Sequence, residues 1–256
     1  LLDAWNPSQY LKFADHRLRP ALDLLGRIDA PAPKVVFDLG CGPGNVTALL
    51  AKRWPDARVT GVDGSAAMLA RACADHPGLA WQHADLAAWS PTAPVDVLYS
   101  NAVLHWLDDH EHLFPRLMGC VAQGGVLAIQ MPRNFREPSH TAMAESVEAG
   151  PWRAKLARAV RVFPMPDVGA YYDWLAPLAC RLDVWETIYY QALEGDDPVA
   201  EWTKGSSLKP LLDALDEGER DAFFADYAAR CRKAYPKRAD GRTLFPFRRL
   251  FIVAGK

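Results

Sequence analysis

The sequence has no excess of either charge, no membrane-length apolar run, no clustered cysteines and no repeated or low-complexity tract, and each absence removes a class of protein. Lys and Arg number 29 against 31 Asp and Glu, a formal net charge of −2, with a pI near 6.4. A nucleic-acid binder ordinarily presents a clearly basic face, so no nucleic-acid partner is expected and any basic pocket must be local. Every apolar run falls short of the roughly 18 to 20 residues that cross a bilayer, and Leu1–Tyr10 lacks the charged and apolar regions of a signal peptide. No membrane partner is expected, and the expected location is cytoplasmic. The five cysteines, Cys41, Cys73, Cys120, Cys180 and Cys231, are odd in number and never form Cys-x-x-Cys. That spacing points to reduced packing thiols rather than disulfides or zinc ligands, and no metal site is expected.

What is present is a large core. Half of the 256 residues are apolar and 23% are charged, which suits a single folded α/β domain over 1–256 carrying an elaboration. Short apolar runs alternate with helical spacing from residue 35 onward, the pattern of a parallel sheet covered on both faces. Val35–Gly40, Arg58–Asp63, Leu79–Ala84, Val95–Asn101 and Val126–Met131 read as successive strands. Thr47, Leu50, Ala51 and Trp54, and later Leu113, Leu117 and Val121, keep helical spacing, with Pro55 and Gly124-Gly125 as the stops. After Met131 the alternation breaks, and Pro132–Pro166 holds two expected helices, His140–Ala149 and Trp152–Val162. Because ligands of open parallel sheets sit at the strands' C-terminal ends, this insertion is placed to act as a lid. The cofactor core is expected at about 30–131, with lid and substrate elements at about 1–25, 132–170 and 196–240. Cys180–Leu193 is β-rich, Asp197–Tyr235 is helical with Trp202, Leu208, Leu211, Leu212 and Leu215 on apolar spacing, and Thr243–Ala254 closes as a strand. Pro246 inside that strand predicts an edge or a bulge.

The most informative segment is Val35-Val36-Phe37-Asp38-Leu39-Gly40-Cys41-Gly42-Pro43-Gly44-Asn45-Val46-Thr47. A buried strand enters a glycine turn and then a helix, so the backbone can approach a ligand without Cβ obstruction. Its glycines fall at 40, 42 and 44 rather than on the dinucleotide pattern G-x-G-x-x-G, and Asp38 precedes them where a carboxylate can face an ammonium. This favours S-adenosylmethionine over NAD. Asp63 ends the second strand and suits ribose hydroxyls, Met68 the adenine face, Asp85 the adenine amino group, and Asn101 the methionine end. Cys41, Asn45, Gly64, Leu86 and His105 complete the expected cofactor set. Each has an alternative: Asp63 or Asp85 could cap the following helix, and Met68 could be core.

With these residues the chain resembles the class I methyltransferases, and more narrowly the trans-aconitate 2-methyltransferase family. The likeness extends to Trp5-Asn6-Pro7-Ser8-Gln9-Tyr10, Leu104-His105-Trp106-Leu107, Gln130-Met131-Pro132-Arg133-Asn134, Trp202-Thr203-Lys204-Gly205 and the closing Asp240–Phe251 segment. It implies a Rossmann-like, seven-stranded, mostly parallel sheet with helices on both faces and a helical lid insertion. It also implies methyl transfer to a carboxylate of trans-aconitate, yielding a methyl ester and S-adenosylhomocysteine. A small anionic polycarboxylate is then the expected partner and a monomer the expected state. A carboxylate is already the nucleophile at neutral pH, so no catalytic base is expected and catalysis rests on proximity and orientation. For holding such an acid the candidates are Arg17, Arg133, Lys204, Lys209 and Arg248, with Arg19, Arg136 and Arg238 as further choices. Gln9, Tyr10, Tyr171 and Tyr172 are expected to add hydrogen bonds, with Trp5 and Trp106 as walls. The rivals are a methyltransferase for another carboxylic or carrier-linked acid, a non-catalytic S-adenosylmethionine-binding protein, and an NAD-dependent oxidoreductase.

Overall fold

Runs such as Val35-Val36-Phe37 are apolar on both faces and are stable only in a sheet covered on both sides, which is where a parallel strand sits. The computed structural model describes residues 14–157, 159 and 165–256, with side chains from Leu18 onward at the N-terminal end. In chain order the elements are α1 (Ala14–Gly26), β1 (Val35–Leu39), α2 (Asn45–Arg53), β2 (Arg58–Asp63), α3 (Ala66–Asp75), β3 (Ala80–His83), β4 (Val95–Asn101), α4 (His110–Gly119), β5 (Val121–Pro132), α5 (Pro138–Ala149), α6 (Arg153–Leu156), α7 (Val168–Leu175), β6 (Arg181–Leu193), α8 (Pro198–Lys204), α9 (Lys209–Asp213), α10 (Glu217–Ala234) and β7 (Thr243–Gly255). A short 3-10 turn, Leu104–Trp106, follows β4.

The seven strands form one sheet in the order β3-β2-β1-β4-β5-β7-β6. Strands β1 to β5 are parallel, and β7 runs antiparallel between β5 and β6. Strand order reverses between β1 and β4, so a crevice opens at their C-terminal ends, where Gly40 and Asn101 emerge.

Side-chain alternation divides the core into two layers. Leu39, Leu98, Leu127, Ile129 and Ile252 face α4 and α7. Val36, Val97, Tyr99, Ala128 and Phe251 face α1 and α2, packing on Leu24, Leu25, Leu50 and Trp54. A third cluster joins α5 and α6 to α8, α9 and α10, around Trp152, Trp202, Leu208, Phe223 and Phe245. The expected apolar spacing in 197–235 is the buried face of that cluster, with Trp202, Leu208, Leu211, Leu212 and Leu215 all inside it.

Three expectations shift. Gly124-Gly125 does not end the preceding helix, which stops at Gly119, but lies within β5 where the register against β4 is irregular. Gly124 has φ +78, and a Cβ on Gly125 would sit 2.8 Å from the Asp96 carbonyl oxygen, so the pair serves a close strand approach. The helix expected over Trp152–Val162 spans Arg153–Leu156, and most of its remainder lies outside the described residues. Strand β7 is internal to the sheet, yet Pro246 faces only Tyr190 of β6, because β5 reaches no further along β7 than Arg249. Proline thus occupies a locally unpaired margin, as its missing donor requires. All five cysteines are free thiols. No described helix is long and apolar enough to cross a membrane.

Candidate active site

The loop between β1 and α2 is shaped by left-handed backbone at Gly40 (φ +73) and Gly44 (φ +85). Its base is pinned to β2, since the amides of Gly40 and Cys41 donate to the Val62 carbonyl at 2.7 and 3.1 Å. A Cβ on Gly40 would lie 2.4 Å from Val103, and one on Gly44 2.4 Å from Trp81, so both are enclosed. A Cβ on Gly42, by contrast, would meet no described residue within 4 Å. Helix α2 begins at the exposed Asn45 with no side-chain cap, which leaves its first-turn amides for a ligand. Cys41 is buried and its thiol is pushed up by burial, so it packs beneath the loop rather than acting as a nucleophile.

Two buried carboxylates flank this loop. Asp38 on β1 accepts the Thr47 hydroxyl at 2.6 Å. Burial pushes it up to about 7, partly opposed by that hydrogen bond. Asp63 ends β2 and accepts the Gly42 and Ser65 amides, each at 2.8 Å. Each of its oxygens keeps a second lone pair, so Asp63 both braces the glycine loop and can accept from a ligand. Burial raises its pKa, and the two amide bonds oppose the rise. The cap of α3 is Ser65, whose hydroxyl accepts the Met68 amide. Met68 is half-buried, and the Gly64 carbonyl contacts His83 at 3.0 Å. Asp85 is exposed and accepts the Ala87 amide at 3.0 Å, while the Leu86 side chain is core.

Beyond Asn101 the chain turns sharply through Ala102, a non-glycine residue at φ 57. Its amide is held by the Gln130 carbonyl at 2.8 Å. The turn delivers His105 into a buried place, its ring centroid 4.7 Å from Trp106 and 6.2 Å from Phe135. Burial first, then the positive charge of Arg249, hold His105 well below its ordinary pKa, so it is neutral at pH 7. Its Nδ1, together with Asn101 Oδ1, Asn134 Nδ2 and both amide atoms of Gln130, is buried without a hydrogen-bond partner. Arg249 on β7 is 5% exposed and lies over the Phe247 ring at 4.2 Å. Gln130 and Arg249 were not among the site residues expected from sequence; the available signal was a glutamine inside the otherwise apolar run Val126–Met131.

The cationic candidates separate. Arg133 and Arg248 converge on Glu186 of β6, at 3.1 and 3.3 Å. Arg133 also donates to the Pro166 carbonyl at 3.0 Å and pairs with Asp167 at 3.5 Å, and Arg248 pairs with Glu137 at 3.4 Å. Lys204 and Lys209 instead pair with Glu201 and Asp213 on their own helices, both at 2.6 Å. Tyr171 sits in the core layer between α4 and α7. It is fully buried, with rings 4.8 Å from Phe114 and 5.4 Å from Trp174, and its hydroxyl meets His110 Nδ1 at 2.6 Å. A desolvated hydroxyl requires a partner, and a core histidine supplies it. Trp106 is half-buried beside His105. Gln9 and Tyr10 lie outside the described residues, as does the side chain of Arg17.

Residues 36–125 match the family model described as a methyltransferase domain. Among solved structures, the YcgJ protein of Bacillus subtilis aligns with a TM-score of 0.61 at 13% identity, covering 93% of this chain and 98% of its own. An S-adenosylmethionine-dependent methyltransferase from Mesorhizobium loti aligns at 0.51 and 19%, covering 92% and 96%. Sheet order, glycine loop and matched domain define the class: a class I methyltransferase fold. Across the full length, the chain is 52% identical over 253 residues to the trans-aconitate 2-methyltransferase of Azoarcus sp. (strain BH72), covering 99% of each. It is 49% identical to the enzyme of that name from Rhodopseudomonas palustris (strain BisB18), covering 98% and 99%. The chain belongs to the trans-aconitate 2-methyltransferase family.

Proposed function

We propose that this chain esterifies a carboxylate of trans-aconitate with the methyl group of S-adenosylmethionine. The observation that carries the reading is the 52% identity extending over 99% of both chains, substrate elements included. The residues present fit the cofactor: among the described residues a Cβ on Gly42 would meet nothing within 4 Å, Asp38 is a buried carboxylate whose burial no described cation offsets, and Asn101 Oδ1 is an orphaned acceptor. Asp38 would hold the ammonium, Asp63 the ribose hydroxyls, Asp85 the adenine amino group and Asn101 the methionine end. When bound, S-adenosylmethionine supplies a methyl group on a sulfonium leaving group. The residues around it need only orient the acceptor oxygen in line and exclude water, because a carboxylate of ordinary pKa needs no base. The neutral His105 fits that requirement as a hydrogen-bonding wall. Segment 132–170 acts as the lid, supported by the tie from Arg133 to Pro166 and Asp167.

The test is incubation with methyl-labelled cofactor and a panel of trans-aconitate, cis-aconitate, citrate, isocitrate, a long-chain fatty acid and a carrier-linked thioester. Base-labile label on trans-aconitate by preference is expected. Label on the fatty acid or thioester would overturn the acceptor, and cofactor binding without transfer would overturn the activity.

Asp38 makes cofactor affinity pH-dependent. Its folded value is about 7 against an ordinary 3.8, so the unliganded carboxyl carries a proton below about 7, whereas an ammonium needs the carboxylate. The same raised value favours the unliganded fold most below 3.8, a contribution lost as pH rises through about 7. Calorimetry should therefore show affinity weakening about fivefold between about pH 7 and about pH 6. Asp38→Asn should remove that limb, and a flat wild-type profile would exclude Asp38 as the ammonium's partner.

A further inference from the structure

Gln130 occupies the β5 position directly beside Asn101 of β4 and, across β5, opposite Phe251 of β7. Its residue is 0% exposed, and neither its amide nitrogen nor its amide oxygen has a partner. Ala128 and Phe251 on the same sheet face pack under α1, so Gln130 is the point where an apolar layer turns polar at the strand's C-terminal end. Two residues further along β5, Pro132 pairs with Arg249 of β7, which places a buried guanidinium at the same end of the sheet. From the glycine loop on β1, polar groups thus step outward through Asn101 on β4 and Gln130 on β5 to Arg249 on β7. At about 4.8 Å per strand, the row extends roughly 14 Å from the cofactor loop, the scale of a methyl donor's reacting end followed by a small acid with several carboxylates. A buried amide with nothing to bond is tolerated where a ligand completes it.

We propose that Gln130 binds the acceptor, its Nε2 donating to a carboxylate oxygen of the polycarboxylate while Arg249 supplies the neighbouring positive charge. This rests on the carboxyl-methyltransferase reading above. Asn101, nearer the loop, keeps the cofactor end, and Gln130 belongs to the acceptor end because a further strand separates it from the loop. The partnerless amide also gives the assignment a signature that a structural glutamine lacks: its removal should not cost stability. A structural residue holds its neighbours through bonds, and Gln130 makes none with its side chain.

The experiment compares the wild type with Gln130→Met, which keeps volume and flexibility but removes both polar atoms. KM for trans-aconitate is expected to rise about tenfold or more, with kcat changed less than about threefold. Affinity for S-adenosylhomocysteine by calorimetry should be unchanged, and Tm should be equal to or above the wild type. A KM within about twofold of the wild type, or a selective loss of S-adenosylhomocysteine affinity, would overturn the proposal; so would a lowered Tm with KM unchanged. Should the methionine variant fail to fold, Gln130→Glu decides. Its buried carboxylate repels the acid at about pH 8, and its protonated form donates like the amide, so KM should relax toward the wild type as pH falls to about 6. A KM equal to the wild type's throughout would overturn the proposal. The wild-type control separates this failure from that of the parent reading: if another acid on the panel is esterified instead of trans-aconitate, the acceptor is wrong and the same comparison runs on that acid.

Discussion

Replacing Asp63 with alanine is expected to weaken S-adenosylmethionine binding by at least about a hundredfold, the largest effect at a single side chain in the site. Two terms combine. In the proposed assignment the carboxylate accepts both ribose hydroxyls, and hydrogen bonds to a charged group contribute about 1.5 to 3 kcal/mol each. It also receives the amides of Gly42 and Ser65 at 2.8 Å, so its loss frees the glycine loop on one side and the start of α3 on the other. Stability should fall less than two lost charge-assisted bonds suggest, because burial raises the Asp63 pKa and its removal relieves that desolvation. Asp63→Asn is the informative partner: it keeps one acceptor oxygen but presents a donor to one of the two amides, and should fall between wild type and alanine. Calorimetric affinity unchanged in Asp63→Ala would remove the ribose assignment and leave only the bracing role.

The second large effect is steric. Gly40→Ala places a Cβ 2.4 to 2.5 Å from three carbons of Val103 on backbone at φ +73. Left-handed backbone costs an L-residue about 1 to 2 kcal/mol, and forcing atoms into a filled space typically adds about 1 to 3 kcal/mol. Val103 yields poorly, being β-branched and stiff at χ1, and it opens the Leu104–Trp106 turn that carries His105. The substitution should therefore destabilise the fold by about 2 to 5 kcal/mol in urea denaturation and displace both the glycine loop and the His105 turn. Gly42→Ala is the control. Its φ is +54 but a Cβ there meets no described residue, so stability should drop by only the backbone contribution while cofactor affinity falls, since the added methyl enters the proposed ligand's approach. Equal stability of Gly40→Ala and the wild type would show that the loop and Val103 move apart freely.

Sequence pattern located the parallel core because its signals are short-range. Strands β1, β2 and β4 are apolar runs that carry Asp38, Asp63 and Asn101 at or next to their C-terminal ends, beside the point where the strand order reverses. Turn chemistry was less transparent. Gly124-Gly125 has the composition of a helix stop, but its reason is the Asp96 carbonyl of the neighbouring strand. Tyr171 has an apolar ring and a polar tip whether it lines a pocket or fills a core, and only the arrival of His110, 61 residues earlier in the chain, settles which.

The basic residues illustrate the same limit more sharply. Arg133, just after β5, and Arg248, inside β7, look alike in sequence as unattached cations, and β6 places Glu186 between them. Lys204 and Lys209 each have an acid one turn away on their own helix, a pairing readable at spacings of three and four residues. Gln130 shows the reverse case, a residue inconspicuous beside those charges whose isolation emerges only once every neighbour is in place.

What the sequence by itself determined is the methyl-donor half: a contiguous strand, glycine loop and helix whose conformation follows from φ freedom at Gly40 and Gly44, and carboxylates at the ends of adjacent strands. Those features depend on near neighbours in the chain, so residue identity fixes them. The proposed acceptor half depends on tertiary structure, because its residues come from β5, β6 and β7 across an antiparallel return. Whether a charge there is free to meet a substrate or already paired depends on distances between residues far apart in the chain, and a polar side chain's solvation depends on what is packed around it.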